Sequence, residues 1–164
     1  MDKKVLVTGA AGLIGRELCK QLKDKFYVIG VDNNFRYENY KPDCNEFISE
    51  SISSYLSNTN NDFDYVFHMG NINGTKYFYS KPDLVLDVAV KGLINVFDLC
   101  LKYKVKEMYL ASSSEVYHMP KKIPTDENET LKIPNIFNPR YSYGGGKILT
   151  ELYGANFGKK YFKF

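Results

Sequence analysis

Tyr143 and Lys147 stand four residues apart in Tyr143-Gly144-Gly145-Gly146-Lys147, far downstream of Thr8-Gly9-Ala10-Ala11-Gly12-Leu13-Ile14-Gly15. On a helix, positions i and i+4 share a face, so this phenol and this ammonium would point into one cleft. A free tyrosine, with a pKa near ~10, is a poor base at neutral pH. A neighbouring cation favours the phenolate and is expected to lower that value. The upstream segment has the strand, glycine turn and helix order that seats a diphosphate on backbone N–H groups. A proton acceptor beside a bound dinucleotide is the equipment for hydride transfer.

Within the glycine segment, Gly9 permits the tight turn, Gly12 lets N–H groups approach a pyrophosphate, and Gly15 allows close helix–strand packing. The diphosphate is expected over Ala11, Gly12, Leu13 and Ile14, at the positive end of the following helix. Asp32 ends the second apolar run, followed by Asn33, where a carboxylate accepts hydrogen bonds from ribose hydroxyls. It would repel a 2′-phosphate, which favours NAD over NADP. Arg36 is the counter-argument, although it lies beyond the turn. A purely polar turn at Asp32-Asn33-Asn34 is the alternative.

These groups need a scaffold, and apolar runs alternating with helical patterns predict a parallel α/β sheet. Strands are expected at Val5–Val7, Phe26–Val31, Phe47–Ile48, Tyr65–Phe67, Met108–Ala111 and Tyr161–Phe164. Ile14, Leu18 and Leu22 mark the first helix. Ser80 offers an N-cap to a long helix with Pro82 in its first turn. Periodicity disappears between Tyr117 and Pro139, where four prolines break any regular element. Residues 117–140 are expected to form a substrate-facing flap, with a mobile surface loop as the alternative. The expectation for residues 1–164 is one doubly wound, three-layer α/β/α domain.

The chain has 164 residues and a net charge of +3. That suffices for one domain with a real core. No apolar run reaches the ~20 residues of a membrane span. The N-terminus enters a strand pattern directly, without a signal peptide. Lysines are spread along the chain, which argues against a nucleic-acid surface. Cys19, Cys44 and Cys100 lack CxxC spacing and read as reduced, mostly buried thiols of a cytoplasmic protein. No metal-ligand constellation is visible.

The motifs together resemble the extended short-chain dehydrogenase/reductase family, the NAD-dependent nucleotide-sugar epimerases and dehydratases. Thr8 to Gly15 and Val31-Asp32-Asn33 resemble its cofactor motifs. Val66-Phe67-His68-Met69-Gly70 resembles the strand that passes under the cofactor, and Lys91 to Val96 its central helix. Ser112 to Tyr117 resembles the strand end bearing the catalytic Ser or Thr, which falls on Ser113. Pro139 to Lys147 carries the Tyr/Lys pair. The resemblance implies a Rossmann-like fold, bound NAD and a nucleotide-sugar substrate. It implies that Tyr143 removes a hydroxyl proton, that Lys147 holds the phenolate and the nicotinamide ribose, and that Ser113 bonds the reacting oxygen. Epimerisation through a keto sugar is expected, with 4,6-dehydration or reduction as alternatives. Glu115 would be the base of a dehydratase, but the adjacent acid position is Ser114. A homodimer through the helices of residues 82–101 and 143–157 is also implied, with Tyr153 and Phe157 as contacts.

Four departures stand out. Ala89 replaces a usual Asn, Gly146 a usual Ser, and Ser51, followed by Ile52, stands at the usual acidic contact to adenine. Members also usually continue into a second, substrate-binding domain, so the chain resembles the cofactor half of an enzyme and alone should be nearly inactive. The triple glycine disfavours its own helix by about 3 kcal/mol. Nicotinamide, the sheet or a partner helix would have to approach it closely, unless the helix starts late and leaves Tyr143 in a turn. A non-catalytic NAD-binding module and an inactive fragment are the competing classes.

Overall fold

The structure is a computed structural model that describes residues 3–161. β1 (Lys4–Thr8) sends Leu6 to one face and Val5 and Val7 to the other, all buried. Such two-sided burial belongs to a central parallel strand. It pairs in parallel with β2 (Tyr27–Val31) on one side and β4 (Tyr65–His68) on the other. β3 (Glu46–Ile48) and β5 (Glu107–Leu110) complete the order β3-β2-β1-β4-β5. Strand order therefore reverses beside β1, where α/β sheets bind ligands at the carboxyl ends of their strands.

α1 (Leu13–Leu22) packs on the face of Val5, Val7 and Val28. Its inward stripe is Gly15 and Cys19, buried, with Leu18 and Leu22 partly buried, and not the expected Ile14, which is 59% exposed. On the opposite face α2 (Ile52–Asn58) and α4 (Pro82–Lys102) enclose Leu6, Ile29, Val31 and Val66. α5 (Tyr141–Tyr153) packs along α4. Three layers result, with Val28, Ile29 and Val66 at most 1% exposed.

Two short helices lacked a readable periodicity. α2 is rich in Ser and Asn, and its start is fixed by Ser51 Oγ accepting from Ser54 N at 3.1 Å. α3 (Thr75–Ser80) is the other. Ser80 ends it, its hydroxyl donating to Lys76 O, so Lys81 and not Ser80 occupies the cap before Pro82. The expected sixth strand also fails where it can be seen. Tyr161 closes α6 (Lys159–Tyr161), which continues from a π turn at residues 154–158, and Phe162 to Phe164 lie outside the described residues. Five parallel strands stand among the described residues. After a 3₁₀ turn at Ser114–Tyr117, residues 118–140 carry neither helix nor strand, as the prolines predict. Among the described residues, no helix is long and apolar enough to cross a membrane.

Candidate functional site

The glycine turn is held by contacts that only glycine permits. Gly9 has φ +69, and a Cβ there would lie 2.7 Å from the Gly70 backbone, so β1 and the end of β4 touch at this point. At Gly15 a Cβ would lie 2.1 Å from Gly9 O, which draws α1 against the turn. The Gly12 cap of α1 has no side-chain hydrogen bond, and Leu13 and Ile14 are exposed at the helix start. Asp32 is fixed by two backbone donors. Ala11 N reaches Oδ2 at 3.1 Å and Asn34 N reaches Oδ1 at 2.8 Å.

A cavity of about 430 Å³ opens over this turn. Among the residues expected at a cofactor, Gly9, Gly12, Asp32, Asn33, Ser51, Ile52, Met69 and Gly70 line it. Ala11 is buried behind the turn, and Gly15 serves helix packing. Leu84, Val88 and Gly92 of α4 form the far wall. Arg36 lies on the wall beside Phe35 and Tyr37, closer to the site than its position after the turn implied. The cause is tertiary: the Phe35 ring packs on Tyr77 at 5.2 Å and folds the segment back toward α3. Asn71 was missed by sequence reasoning. It lines the cavity, and its Oδ1 is buried without a hydrogen-bond partner.

The proton-handling residues Tyr143, Lys147 and Ser113 do not themselves line this cavity. Tyr143 clusters with Ile72, Leu84 and Val88, and its ring stacks on Phe78 of α3 at 5.1 Å and 14°. Lys147 is 3% exposed; its Nζ donates to Ala111 O at 2.5 Å and lies 5.8 Å from the Tyr143 ring centre. α5 thus begins early enough to place both side chains on one buried face. The expected lowering of the phenol is not what this environment produces. Burial pushes Tyr143 above the usual range, and the Ser113 hydroxyl opposes that shift by hydrogen bonding. Desolvation is also what lowers Lys147 to about 8. His68, fully buried, is pushed down to about 3 by burial and by the Lys147 charge, and it shares a 2.8 Å hydrogen bond with Thr8 Oγ1.

Of the triple glycine, only Gly146 is required by a neighbour. A Cβ on Gly144 would meet Glu115 O at 3.4 Å, on Gly145 the Ile133 side chain at 3.3 Å, and on Gly146 the Ala89 Cβ at 2.7 Å. Two departures from the family pattern, Ala89 and Gly146, therefore face each other where α4 and α5 approach most tightly. Glu115 is occupied by Arg140, whose Nη2 reaches both carboxylate oxygens at 3.2 and 3.3 Å. This pair ties the end of the irregular segment to the 3₁₀ turn. Tyr153 and Phe157 do not stand clear as dimer contacts. Both pack edge-on against Phe97 of their own chain, at 4.7 and 5.6 Å.

Burial of Lys147 has a consequence for stability. Its folded value near 8 lies below the ~10.4 of an unfolded chain, so between those values the unfolded state binds more protons. Stability should rise by up to about 3 kcal/mol as pH climbs through that window, and should lack this contribution below pH 8. Denaturant unfolding at pH 8 and pH 10, compared with Lys147→Met, isolates the effect. Equal increments in both proteins would show that Lys147 is solvated.

The model of the NAD dependent epimerase/dehydratase family matches residues 5–164. A UDP-glucose 4-epimerase of Pisum sativum is 29% identical over 169 residues, covering 92% of this chain and 46% of that protein. The crystal structure of a UDP-galactose 4-epimerase superposes with TM-score 0.83 at 26% identity, over 96% of this chain and 52% of the other. The UDP-glucose 4-epimerase of Thermotoga maritima, solved with UDP-glucose, gives TM-score 0.80 and 27% identity over 96% and 52%. The chain thus spans about half the length of these relatives.

Proposed function

Because the chain belongs to the NAD dependent epimerase/dehydratase family, we propose that it binds NAD in the cleft over β1 and supplies the proton-transfer residues for epimerising a nucleotide sugar. The carrying observation is the burial of Tyr143 and Lys147 on one helix face, with Tyr143 packed against Ile72, Leu84 and Val88 of the cavity wall. The residues fit the cofactor. Gly9 and Gly12 bring backbone to the cavity wall, the Asp32 carboxylate stands at the strand end, and the unpaired Asn71 Oδ1 offers a further acceptor. The diphosphate would lie on the Gly12 to Ile14 amides, and the ribose hydroxyls against Asp32.

Bound NAD supplies the hydride acceptor and donor. Tyr143 accepts the proton of the sugar hydroxyl that is oxidised and returns it after the keto sugar has turned over. Ser113, whose hydroxyl lowers the pKa of the phenol, holds the reacting oxygen. Lys147, whose Nζ lies 5.8 Å from the Tyr143 ring centre, stabilises the phenolate and orients the adjoining ribose. The relatives named above act on UDP-hexoses, and a UDP-hexose is the proposed substrate class. Glu115 is held by Arg140, and Ser114 stands in the neighbouring acid position, which favours epimerisation over dehydration.

Calorimetric titration tests the cofactor half of this function directly. NAD should bind more tightly than NADP, because Asp32 repels a 2′-phosphate, and Asp32→Ala should narrow the gap. Tighter binding of NADP would put Arg36 in control and overturn the assignment.

The helices α4 and α5 are also proposed as a homodimer surface. Leu86, Ile94 and Leu152 remain exposed on them at 43%, 40% and 54%. Sedimentation at tens of micromolar should give twice the chain mass; a monomer there would count decisively against this surface.

A further inference from the structure

Cys19 on α1 and Cys44 in the loop before β3 take no part in the chemistry above, yet they meet over one spot of the sheet. A Cβ built on Gly30 would lie 3.1 Å from Cys44 Sγ and 3.5 Å from Cys19 Sγ, so the glycine leaves room for both sulfurs. Both sulfurs thus converge on one point over β2. Cys44 Sγ is further placed 3.1 Å from Glu46 O and 3.6 Å from Pro42 O. Their surroundings differ. Cys19 is fully buried, whereas Cys44 is half-buried and reachable from solvent. Cys100 sits apart on the opposite face of the sheet, with Leu6 and Val66.

This asymmetry separates an attacking sulfur from a resolving one. Cys44 is the sulfur that an oxidant in solvent can reach; the neighbouring Cys19 thiol lowers its pKa, whereas Cys44 and burial together raise that of Cys19. We propose that Cys19 and Cys44 are a modification site, closing to a reversible disulfide that ties α1 to the loop carrying Phe35, Arg36 and Tyr37. The oxidant is a small-molecule disulfide. The Cys44 thiolate attacks one of its sulfurs, that S–S bond breaks, and the first small thiolate leaves. Cys19 gives up its proton to the released thiolate, and its sulfur attacks Cys44 Sγ. The Cys19–Cys44 bond forms as the second small thiolate departs. Two protein thiols are oxidised and one small disulfide is reduced to two thiols.

Incubation with glutathione disulfide, followed by mass mapping of peptides without reduction, tests the site. The expected product joins the peptides of Cys19 and Cys44 with loss of two hydrogens, leaves Cys100 free, and reverts with dithiothreitol. Cys19→Ser should trap glutathione on Cys44, and Cys44→Ser should take up none at Cys19. If either variant fails to fold, alkylation with light reagent before reduction and heavy reagent after it, on the unmutated protein, decides the matter. Heavy label at both Cys19 and Cys44 supports the proposal. Light label at both, or a lasting glutathione adduct on Cys44 beside a free Cys19, overturns it.

Discussion

Tyr143→Phe is expected to lower nucleotide-sugar turnover by about 10²–10⁴-fold, the usual cost of removing a general acid–base group. The substitution deletes one hydroxyl and keeps the ring stacked on Phe78 at 5.1 Å, so fold and NAD affinity should survive. The pH profile should change as well. Burial raises the phenol, so turnover should climb toward alkaline pH as Tyr143 ionises, and the variant should lose that limb. The measurement is kcat on a UDP-hexose, with NAD titration on the same preparation. Near-normal turnover in the variant would refute Tyr143 as the proton acceptor. Loss of NAD binding would mean that the phenol is a structural contact of the cofactor.

Gly15→Ala should be the most damaging of the single-methyl changes in the glycine turn. Its Cβ would fall 2.1 Å from Gly9 O and 2.8 Å from Gly9 C, both backbone atoms that cannot rotate away. The gain of about 1 kcal/mol from replacing a helical glycine is small beside this overlap. Forced repacking costs about 1–3 kcal/mol, and a backbone clash belongs at or above the top of that range. At about 2–4 °C per kcal/mol, the melting temperature should fall by roughly 6–12 °C. Gly12→Ala meets Gly9 O at 3.1 Å, a tight contact that a small shift relieves, so it should cost less stability than Gly15→Ala and weaken NAD binding. Thermal unfolding and calorimetry on both variants separate packing from cofactor approach. A Gly15→Ala protein as stable as the parent would show that α1 does not rest on the turn.

Local chemistry made much of this protein legible in its sequence. Val5 to Val7 had to be a buried strand because no polar residue interrupts it, and Gly9, Gly12 and Gly15 at their spacing specify a turn and a close helix. Tyr143 and Lys147 share a face through helical periodicity alone. Such features depend on residues within a few positions of one another. α2 and α3 were not legible, since Ser51 to Asn58 gains its helix from the Ser51 cap and packing on the sheet, and Thr75 to Ser80 from packing Phe78 against Val85 of α4 and Tyr143 of α5.

What the tertiary structure decided concerns residues distant in sequence. It alone set Gly146 against Ala89, which explains the last of the three glycines in the first turns of α5. It brought Arg36 to the cavity wall through Phe35 and Tyr77, and it paired Glu115 with Arg140. It also reversed the expected direction of the Tyr143 shift. Sequence showed the cation four residues away, but the balance between its charge and desolvation depends on how many apolar neighbours exclude water. Ile72, Phe78 and Val85 do so only once the chain has folded.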